Sequence, residues 1–574
     1  MRKELSIGTS DFKELIENNF YFADKSLFIK EIIKSGAKVV LFPRPRRFGK
    51  TLNISMLQYF FEKTMNVPYV ASGQVRGDSN RHLFKDLKIE KDKECIEQQG
   101  QYPVVFFTFK DVKEENWANT FEKIRDIIFA EFNRHKYLLK SNSLDVYEKE
   151  YCKKIINNSG TQVDYENSLK KLTEYLTKCH KKKPIILIDE YDSPITAGYL
   201  NNFYSQIIDF MRGFLCGGLK DNKYLEKAVI TGVLKIAKES IFSGVNNLEV
   251  YSISDEKFSE FFGFLQEEID ELLKYYNFDG DVEEVKHWYD GYNFGNNRIY
   301  NPWSIISFIR KDFKFSVYWV NTSDNKLIRD LITKGDHKLK KDIEEIVANK
   351  KNKHVINDNI VFTDIEHISE ATINLLLFSG YLTVSDIQYD NIEKVNLGNL
   401  SIPNEEIASL YNNIIMYWFK RSIDTDDYKS MLDNLINGNI KEFTKYFNNF
   451  VLSSFSCFDL PENQSEKVYH AFVLGMLISL NKDYLVKSNR ESGFGRYDVM
   501  LIPKNKNKLG VVIEFKKTEE SETLEHATKE ALEQIQARGY AQELKDLEIN
   551  NILFLGIAFK GKQVQILSEN NKNI

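Results

Sequence analysis

The chain has 574 residues, which is too long for one hydrophobic core and predicts about two to four domains. Hydrophobic residues at 42% and charged residues at 28% exclude a long disordered chain and indicate an ordinary folded protein. The net charge of −5 excludes a basic nucleic-acid coat protein, so any contact with nucleic acid requires a local basic groove.

The cysteines and the apolar runs predict a cytoplasmic location. The five cysteines are scattered and never form a CxxC pair, which argues for a reducing compartment and against a zinc site. The N-terminal residues include no apolar signal region. The longest clean apolar run, residues 471–480, is too short to cross a bilayer, so we expect no membrane association.

The first motif in chain order is a strand, a loop and a helix of the kind that binds phosphate. Residues 38–42 predict a buried strand, residues 43–51 read PRPRRFGKT, and residues 52–62 predict a helix. A loop that ends in Gly-Lys-Thr at a helix N-terminus is typical of a P-loop, because the free N–H groups there favour an anion. Gly49, Lys50 and Thr51 are therefore candidate nucleotide-binding residues, with Lys50 on the terminal phosphates and Thr51 on Mg²⁺.

The loop departs from the usual GxxxxGKS/T pattern, since Arg44 occupies the position of the first glycine. Pro43 and Pro45 also stiffen it. Arg44, Arg46 and Arg47 crowd the place where small residues normally let the backbone wrap a phosphate. These arginines either add cationic phosphate contacts or narrow the loop, and we treat all three as candidate nucleotide-binding residues.

Two further predicted strands supply polar groups to the same site. Residues 183–190 read KPIILIDE, an apolar strand ending in two acids, which is the form of a Walker B segment. Asp189 would hold Mg²⁺ directly or through water, and Glu190 would orient the attacking water as a general base. Thr231, in a predicted strand at residues 228–233, either senses the γ-phosphate, as in an additional-strand ATPase, or only caps its strand.

The middle of the chain predicts helices and one aromatic turn. Apolar side chains recur near 3.6 residues in residues 257–276, which predicts a helical lid. Residues 288–295 predict an aromatic turn that packs as a corner of this lid, with stacking on a nucleic-acid base as the alternative. Residues 305–400 predict an α-rich module with short strands near residues 360 and 380.

Near the C-terminus, an acid and a Glu-x-Lys segment lie on two consecutive predicted strands. Glu514 and Lys516 point to one face because side chains alternate along a strand, and residues 504–508 predict the turn after the strand of Asp498. If the strands pair, the two carboxylates can bind a hard divalent cation, Mg²⁺ or Mn²⁺, and Lys516 can help to activate water. The arrangement resembles a PD-(D/E)xK nuclease site, and the alternative is a pair of ordinary strand-end acids.

Neighbouring elements fit the same nuclease fold. A helix predicted at residues 524–540 carries small residues and Gln534 on one stripe, so Gln534 would face the site. Folds of this kind often place a Gln there with a Tyr six residues later, here Tyr540. The resemblance also implies that Glu466, in the first turn of a helix predicted at residues 462–480, joins the metal site. A strand predicted at residues 551–559 completes an α-β-β-α-β order.

Seven segments together make the chain similar to the bacterial AAA-ATPase-like family, which typically has a C-terminal PD-(D/E)xK nuclease domain. They are FADKS (22–26), PRPRRFGKTL (43–52), LIDEYDSPI (187–195), ITGVLKIAKESIFSGVNNL (230–248), HWYDGYNFG (287–295), YNPWSI (300–305) and LLLFSGYLT (375–383). The resemblance covers nearly the whole chain, and residues 60–180 are its least distinctive part. It implies an α/β fold with an N-terminal P-loop ATPase domain, a helical lid, an α-rich middle module and a C-terminal restriction-endonuclease-like domain. In that family the arginine-rich loop is the normal form of the motif.

These observations predict two chemistries in one chain. We expect an AAA-like core in residues 1–255, the lid in 256–300, the connecting module in 301–400, and the nuclease region in 401–574 with its core at 462–570. The expected function is binding and hydrolysis of ATP (or GTP), coupled to Mg²⁺-dependent cleavage of nucleic acid, with DNA ahead of RNA. A homo-oligomer is a further expectation. The alternative is a nucleotide-switched module that binds nucleic acid or protein through a non-cleaving nuclease-like domain.

Overall fold

The structure is a computed structural model, and it describes most but not all of the chain. The described residues are 2–63, 80–236, 241–242, 245–320, 328, 330–332, 335–347, 353–360, 362–365, 368–420, 425–457, 473, 476–477, 480, 483–492, 495–518, 522–560 and 563–572.

Helices and strands alternate through the first half of the chain. In order they are α1 (Phe12–Glu17), α2 (Leu27–Lys34), β1 (Val39–Pro43), α3 (Lys50–Phe61), α4 (Lys93–Ile96), β2 (Val104–Thr108), α5 (Trp117–Arg134), α6 (Val146–Ile156), α7 (Gln162–His180), β3 (Ile185–Asp189), α8 (Ser193–Leu200), α9 (Tyr204–Leu219), β4 (Lys227–Gly232), β5 (Lys235–Ile236), β6 (Leu248–Val250), α10 (Gln266–Tyr275), α11 (Val282–Tyr289), β7 (Tyr292–Phe294), β8 (Asn297–Ile299) and α12 (Pro302–Arg310).

The second half continues with helices and then a strand-rich segment. Its elements are α13 (His337–Val347), β9 (Lys353–Ile356), β10 (Asn359–Ile360), α14 (Phe362–Ile365), α15 (Ser369–Phe378), β11 (Thr383–Asp390), β12 (Val395–Ser401), α16 (Glu405–Lys420), α17 (Thr425–Ile436), α18 (Ile440–Cys457), β13 (Tyr484–Ser492), β14 (Gly495–Pro503), β15 (Gly510–Lys517), α19 (Leu524–Ala537), α20 (Gln542–Asp546), β16 (Asn551–Lys560) and β17 (Gln563–Lys572). Across the described segments, no helix is both long and apolar enough to traverse a membrane.

The chain forms two compact units. The first unit contains residues 1–331 and 351–408, and the second contains residues 332–350 and 409–574. This division into two units does not test the four domain ranges that the sequence predicts, and they stay predictions.

Five parallel strands form the central sheet of the first unit, in the order β2-β3-β4-β1-β6. Strands β1 and β3 are buried along their whole length, as continuous apolar runs predict for a sheet covered on both faces. Strand β4 lies between β3 and β1, which is the arrangement of an additional-strand ATPase. Because the strands are parallel, their carboxyl ends meet at one edge, where ligands bind in open α/β sheets.

The predicted helix over residues 257–276 is wrong in its first half. Helix α10 begins only at Gln266, and Ser259–Phe261 form a 3-10 turn. Gly263 has a φ of 90°, which lies outside the helical region, so the chain is not helical at this point. A Cβ there would also lie 2.3 Å from the side chain of Ile299. The phenylalanines that imitated a helical period pack around Phe28 and Phe42 instead.

The predicted aromatic turn is a helix end followed by a hairpin. Trp288 lies in the last turn of α11, and strands β7 and β8 pair antiparallel directly afterwards. Tyr292 and Phe294 are buried and contact Phe48 of the loop after β1, at ring distances of 5.0 and 5.2 Å. This packing agrees with the interpretation of the segment as a corner.

The predicted α-rich module also contains more strand than expected. The short strands predicted near residues 360 and 380 correspond to β10 and the start of β11. Strands β11, β12 and β9 form an antiparallel sheet, and β10 pairs in parallel with β5. Residues 385–389 of β11 are all exposed, so this strand lacks the alternation of buried and exposed side chains by which a sequence indicates a strand.

The second unit contains a five-stranded mixed sheet in the order β13-β14-β15-β16-β17. Strands β14 and β15 pair antiparallel around the predicted turn, and β15 pairs in parallel with β16. Helix α19 packs on β15 and β16, and it ends at Ala537 rather than at residue 540 because Gly539 takes a φ of 64°. Most of the helix predicted at residues 462–480, including Glu466, lies outside the described residues.

Candidate functional sites

The loop between β1 and α3 has the geometry of a phosphate-binding loop. Gly49 is the N-cap of α3 with a φ of 81°, a conformation that glycine adopts without steric cost. Lys50 is the first helical residue, and its Nζ donates hydrogen bonds to the carbonyl oxygens of Arg44 (3.0 Å) and Pro45 (2.9 Å). Burial lowers the pKa of Lys50, although Glu190 and other nearby acids oppose this effect. The amine therefore lies within the loop at a helix N-terminus, where an anion is favoured.

Three hydroxyl groups converge on the carboxylate of Asp189, which is 0% exposed at the end of β3. Thr231 Oγ1 donates to Oδ1 at 2.7 Å, while Thr51 Oγ1 (2.9 Å) and Thr108 Oγ1 (3.4 Å) donate to Oδ2. Burial raises the pKa of Asp189, and the hydrogen bonds from Thr231 and Thr51 counteract part of that effect. Thr231 is thus in contact with the predicted metal-binding acid, and its role as a sensor stays a prediction.

Glu190 has an unusual backbone conformation for its residue type. Its φ is 50°, in the left-handed region that non-glycine residues rarely adopt. Its Oε2 accepts a hydrogen bond from Ser193 Oγ at 3.1 Å. Backbone strain of this kind concentrates at functional sites, and Glu190 lines the cavity beside the loop.

This cavity has a volume of about 410 Å³ and a mixed lining. Charged groups come from the loop after β1, from Lys25, from Lys110 and Lys113 after β2, and from Glu190. Aromatic and aliphatic side chains come from the N-terminal segment and from residues near the lid. The apolar part includes Leu5, Leu15, Tyr21, Phe261, Phe264 and Trp303. A concave site with convergent polar groups and apolar walls suits a small organic ligand with a charged end.

Arg44 does not occupy the place that the sequence predicted. Its side chain is 0% exposed and does not line the cavity. The guanidinium lies over the rings of Phe262 (5.1 Å) and Phe294 (5.3 Å), and Nη1 donates to the carbonyl oxygen of Tyr251 at 2.6 Å. Burial lowers the pKa of Arg44 to about 9. We correct the prediction of a phosphate contact, because this side chain supports the rear of the loop instead.

The other two arginines of the loop do line the cavity. Arg47 has a φ of 70°, and its guanidinium lies 4.2 Å from the centre of the Trp303 ring. Arg46 and Arg47 therefore remain candidates for contact with the phosphates, while Arg44 does not.

In the second unit, the pairing of β14 with β15 brings the two predicted metal-binding acids together. The backbone N–H of Asp498 donates to Glu514 Oε2 at 3.3 Å. The backbone N–H of Phe515 donates to Asp498 Oδ2 at 2.8 Å. Glu514 is 3% exposed, and Asp498 is partly exposed at the same place. Each carboxylate thus contacts the backbone beside the other, so both lie at one point of the sheet.

Gln534 and Lys516 complete this cluster. Lys516 Nζ donates to Gln534 Oε1 at 2.8 Å, and Gln534 Nε2 donates to Glu514 Oε1. Gln534 Nε2 also lies 3.4 Å from the hydroxyl of Tyr540, whose pKa is raised by burial. Helix α19 therefore delivers Gln534 to the face of β15 that carries Glu514 and Lys516, as the stripe on this helix predicted.

Comparison with protein families matches both halves of the chain. Residues 6–242 match the family described as predicted AAA-ATPase, and residues 464–569 match the PD-(D/E)XK nuclease superfamily. The chain therefore contains an AAA-ATPase-like domain followed by a C-terminal PD-(D/E)XK nuclease-like domain. The order of the two domains is the one that the sequence motifs predicted.

One similar protein comes from Azotobacter chroococcum mcd 1, where it is named an uncharacterized protein in the vnfD 5′ region. It is 24% identical to this chain over 418 residues, which cover 72% of the chain and 70% of the relative. The similarity therefore extends over most of both proteins.

Both domains offer the oxygen ligands that a hard divalent cation prefers. In the PD-(D/E)XK domain these are the carboxylates of Asp498 and Glu514, and in the ATPase-like domain they are Thr51 and Asp189. Domains of these two kinds generally use a divalent metal, and the ATPase-like domain generally uses a nucleotide. The residues present fit such an ion at each site.

Sequence reasoning missed Asp192, the third acid of the Asp-Glu-Tyr-Asp segment. Its Oδ2 accepts hydrogen bonds from the backbone N–H groups of Val233 (2.9 Å) and Leu234 (3.0 Å), and burial raises its pKa. Asp192 thus fixes the chain directly after Thr231. The available signal in the sequence was a third acid three residues beyond Asp189, the predicted metal-binding acid.

Proposed function

We propose that this chain binds and hydrolyses ATP at the loop after β1 and cleaves nucleic acid at a Mg²⁺-dependent site in its PD-(D/E)XK domain. The convergence of Asp498, Glu514, Lys516 and Gln534 carries the proposal, since their hydrogen bonds place all four side chains in one cluster. DNA is the proposed substrate ahead of RNA, and ATP the proposed nucleotide ahead of GTP. A homo-oligomer and a cytoplasmic location are part of the same proposal.

In the nucleotide site, each residue has a distinct task. Lys50 leaves the loop carbonyls to contact the terminal phosphates, and Thr51 with Asp189 would hold Mg²⁺. Glu190 orients the attacking water and accepts its proton as a general base. Thr231, which donates to Asp189, transmits a change at the terminal phosphate to the end of β4.

In the nuclease site, Asp498 and Glu514 would hold Mg²⁺, with Mn²⁺ as a substitute. A metal held there would supply charge stabilisation for the phosphodiester and would lower the pKa of a water molecule. Lys516 positions the attacking water, and Gln534 fixes both the Lys516 amine and the Glu514 carboxylate. The arrangement suits hydrolysis of a phosphodiester, because oxygen ligands and an amine face the same point.

A cleavage assay on the full chain tests the proposal. Labelled single- and double-stranded DNA and RNA are incubated with Mg²⁺ or Mn²⁺, with and without ATP, and nucleotide binding is measured in parallel. We expect Asp498→Ala to lose cleavage and keep nucleotide binding, and Lys50→Ala to lose nucleotide binding without unfolding the nuclease domain. Asp483→Ala, at an exposed acid beside the same sheet, serves as the matched control.

Two outcomes would contradict the proposal. Cleavage that persists in a clean Asp498→Ala preparation would overturn the nuclease site. Equilibrium binding of nucleic acid by the wild-type chain without cleavage in either metal would favour the alternative, a nucleotide-switched binding module.

A further inference from the structure

The cavity beside the loop contains an excess of positive charge. Its charged lining consists of six cations and one acid, Glu190; the cations are Lys25, Arg46, Arg47, Lys50, Lys110 and Lys113. A cavity with low-dielectric walls and one sign of charge concentrates ligands of the opposite sign. The lining therefore favours a ligand that carries several negative charges.

Three of these cations already have partners within the protein. Lys25 Nζ donates to Glu268 Oε2 and to the carbonyl oxygen of Glu260, both at 2.7 Å. Lys50 bonds the loop carbonyls, and Arg47 stacks on Trp303. By contrast, no ion pair joins Lys110 or Lys113 to an acid in the described segments of the chain.

The loop after β2 holds these two lysines in place. Phe109 and Val112 are buried and anchor the loop, and their N–H groups donate to the carbonyl oxygens of Asp189 and Phe109 at 3.0 Å. Lys110 and Lys113 line the cavity between and after these anchors. The loop thus begins beside the carboxylate of Asp189, at the edge of the sheet where the proposed Mg²⁺ and terminal phosphate would lie.

We propose that Lys110 and Lys113 bind the terminal phosphate of a nucleoside triphosphate and make the site select triphosphate over diphosphate. This inference rests on the proposed nucleotide site and names its specificity-determining residues. Lys50 and the helix N-terminus serve both nucleotides, because they also contact the β-phosphate, which ATP and ADP share. The two lysines of the β2 loop act only on the additional phosphate.

Nucleotide affinity in charge-neutral variants tests the assignment. Lys110→Gln, Lys113→Gln and the double variant are prepared in the full chain, and binding of a non-hydrolysable ATP analogue and of ADP is measured calorimetrically with Mg²⁺. We expect the double variant to bind the analogue at least about tenfold more weakly and ADP with little change. Lys170→Gln, at an exposed lysine of α7 outside the cavity, should leave both affinities unchanged.

The outcomes separate this inference from the proposed function. If the double variant keeps the wild-type ratio of analogue affinity to ADP affinity, whether both affinities are unchanged or fall equally, the role of the two lysines is overturned. The proposed nucleotide site itself would be unaffected by that result. A wild-type chain that binds neither nucleotide would overturn the nucleotide site together with this inference. Thermal unfolding of each variant shows whether a loss of binding reflects a loss of folding.

Discussion

At the scale of single residues, the nuclease cluster depends on one amide side chain. Gln534 donates to Glu514 and accepts from Lys516, so one side chain orients both the amine and the carboxylate that we propose binds the metal. Gln534 itself is positioned by the hydroxyl of Tyr540, which is buried. Mutation of a residue that orients a metal-binding group commonly lowers metal affinity or catalytic activity.

We expect Gln534→Ala to lower the cleavage rate by about 10- to 100-fold, because Glu514 and Lys516 lose their common partner. Initial rates at saturating Mg²⁺ measure the effect. Gln536→Ala is the matched control, since Gln536 lies on the same helix and bonds only the exposed Glu569 at 2.6 Å among the contacts described. Equal rates for Gln534→Ala and the control would show that the amide does not organise the site.

At the scale of elements, the phosphate-binding loop is supported from behind. Pro45 contacts Gly380 after α15, Phe48 packs on β7, and Arg44 lies between Phe262 and Phe294. These contacts explain why prolines and an arginine replace the usual glycine and small residues. These neighbours pack against the rear of the loop, and Arg46, Gly49 and Lys50 on its open side line the cavity.

Gly380→Ala tests this support. Gly380 has a φ of 86°, and a Cβ there would lie 2.9 Å from Pro45 Cβ, so we expect a loss of about 2–4 kcal/mol in stability and weaker nucleotide binding. Gly100→Ala is the control, because its φ of 70° is similar but its Cβ would meet no atom closer than 4.0 Å. Nucleotide affinity and melting temperature are measured for both. A Gly380→Ala variant that matches the control in both would contradict the contact.

The outer edge of β2 is closed by helix α5. Glu131 Oε1 accepts from the N–H of Phe106 at 2.9 Å, and Arg134 donates to the carbonyl oxygen of Val104 at 2.5 Å. Burial acts to raise the pKa of Glu131, but Arg134 and His135 outweigh it and lower the pKa from 4.5 to about 2. These polar side chains form hydrogen bonds with backbone groups of an edge strand, which could otherwise pair with a strand of another chain.

We expect Glu131→Gln to destabilise the chain by about 1–3 kcal/mol at pH 7. Because the pKa of Glu131 is lower in the folded chain than in the unfolded chain, its carboxylate stabilises the fold fully at pH values above the unfolded pKa of 4.5. The difference in stability between wild type and Glu131→Gln should therefore hold from pH 7 to pH 5 and shrink as the pH falls from 4.5 towards 2. Melting temperatures across this range measure it, with Glu122→Gln on the exposed face of α5 as the control. A difference that grows as the solution becomes more acidic would contradict the sign.

At the scale of the whole molecule, sequence patterns predicted the parts whose chemistry is local. The strand before the loop, the Asp189 strand and the β14–β15 hairpin follow from continuous apolar runs, alternation and turn residues, and both family matches agree with them. Arg44 was misplaced because its environment consists of Phe262 and Phe294, more than two hundred residues away in sequence. The lid helix was too long because aromatic spacing near Phe258 imitated a helical period.

The same reasoning explains the remaining omission. No prediction was made for Asp192, because only the return of the chain after β4 shows that it accepts backbone hydrogen bonds. Distant contacts, rather than local pattern, decide the role of such residues. The sequence nevertheless predicts two chemically distinct sites, because the Gly-Lys-Thr loop and the Glu-x-Lys strand are each short, local motifs.

The metal dependence of cleavage by wild type and Glu514→Gln tests the central proposal most directly. Glu514→Gln keeps the size of the side chain but removes a charged oxygen ligand, so we expect cleavage that saturates with Mg²⁺ in wild type and falls roughly a thousandfold in the variant. Wild-type rates in Glu514→Gln at every Mg²⁺ concentration would contradict the site.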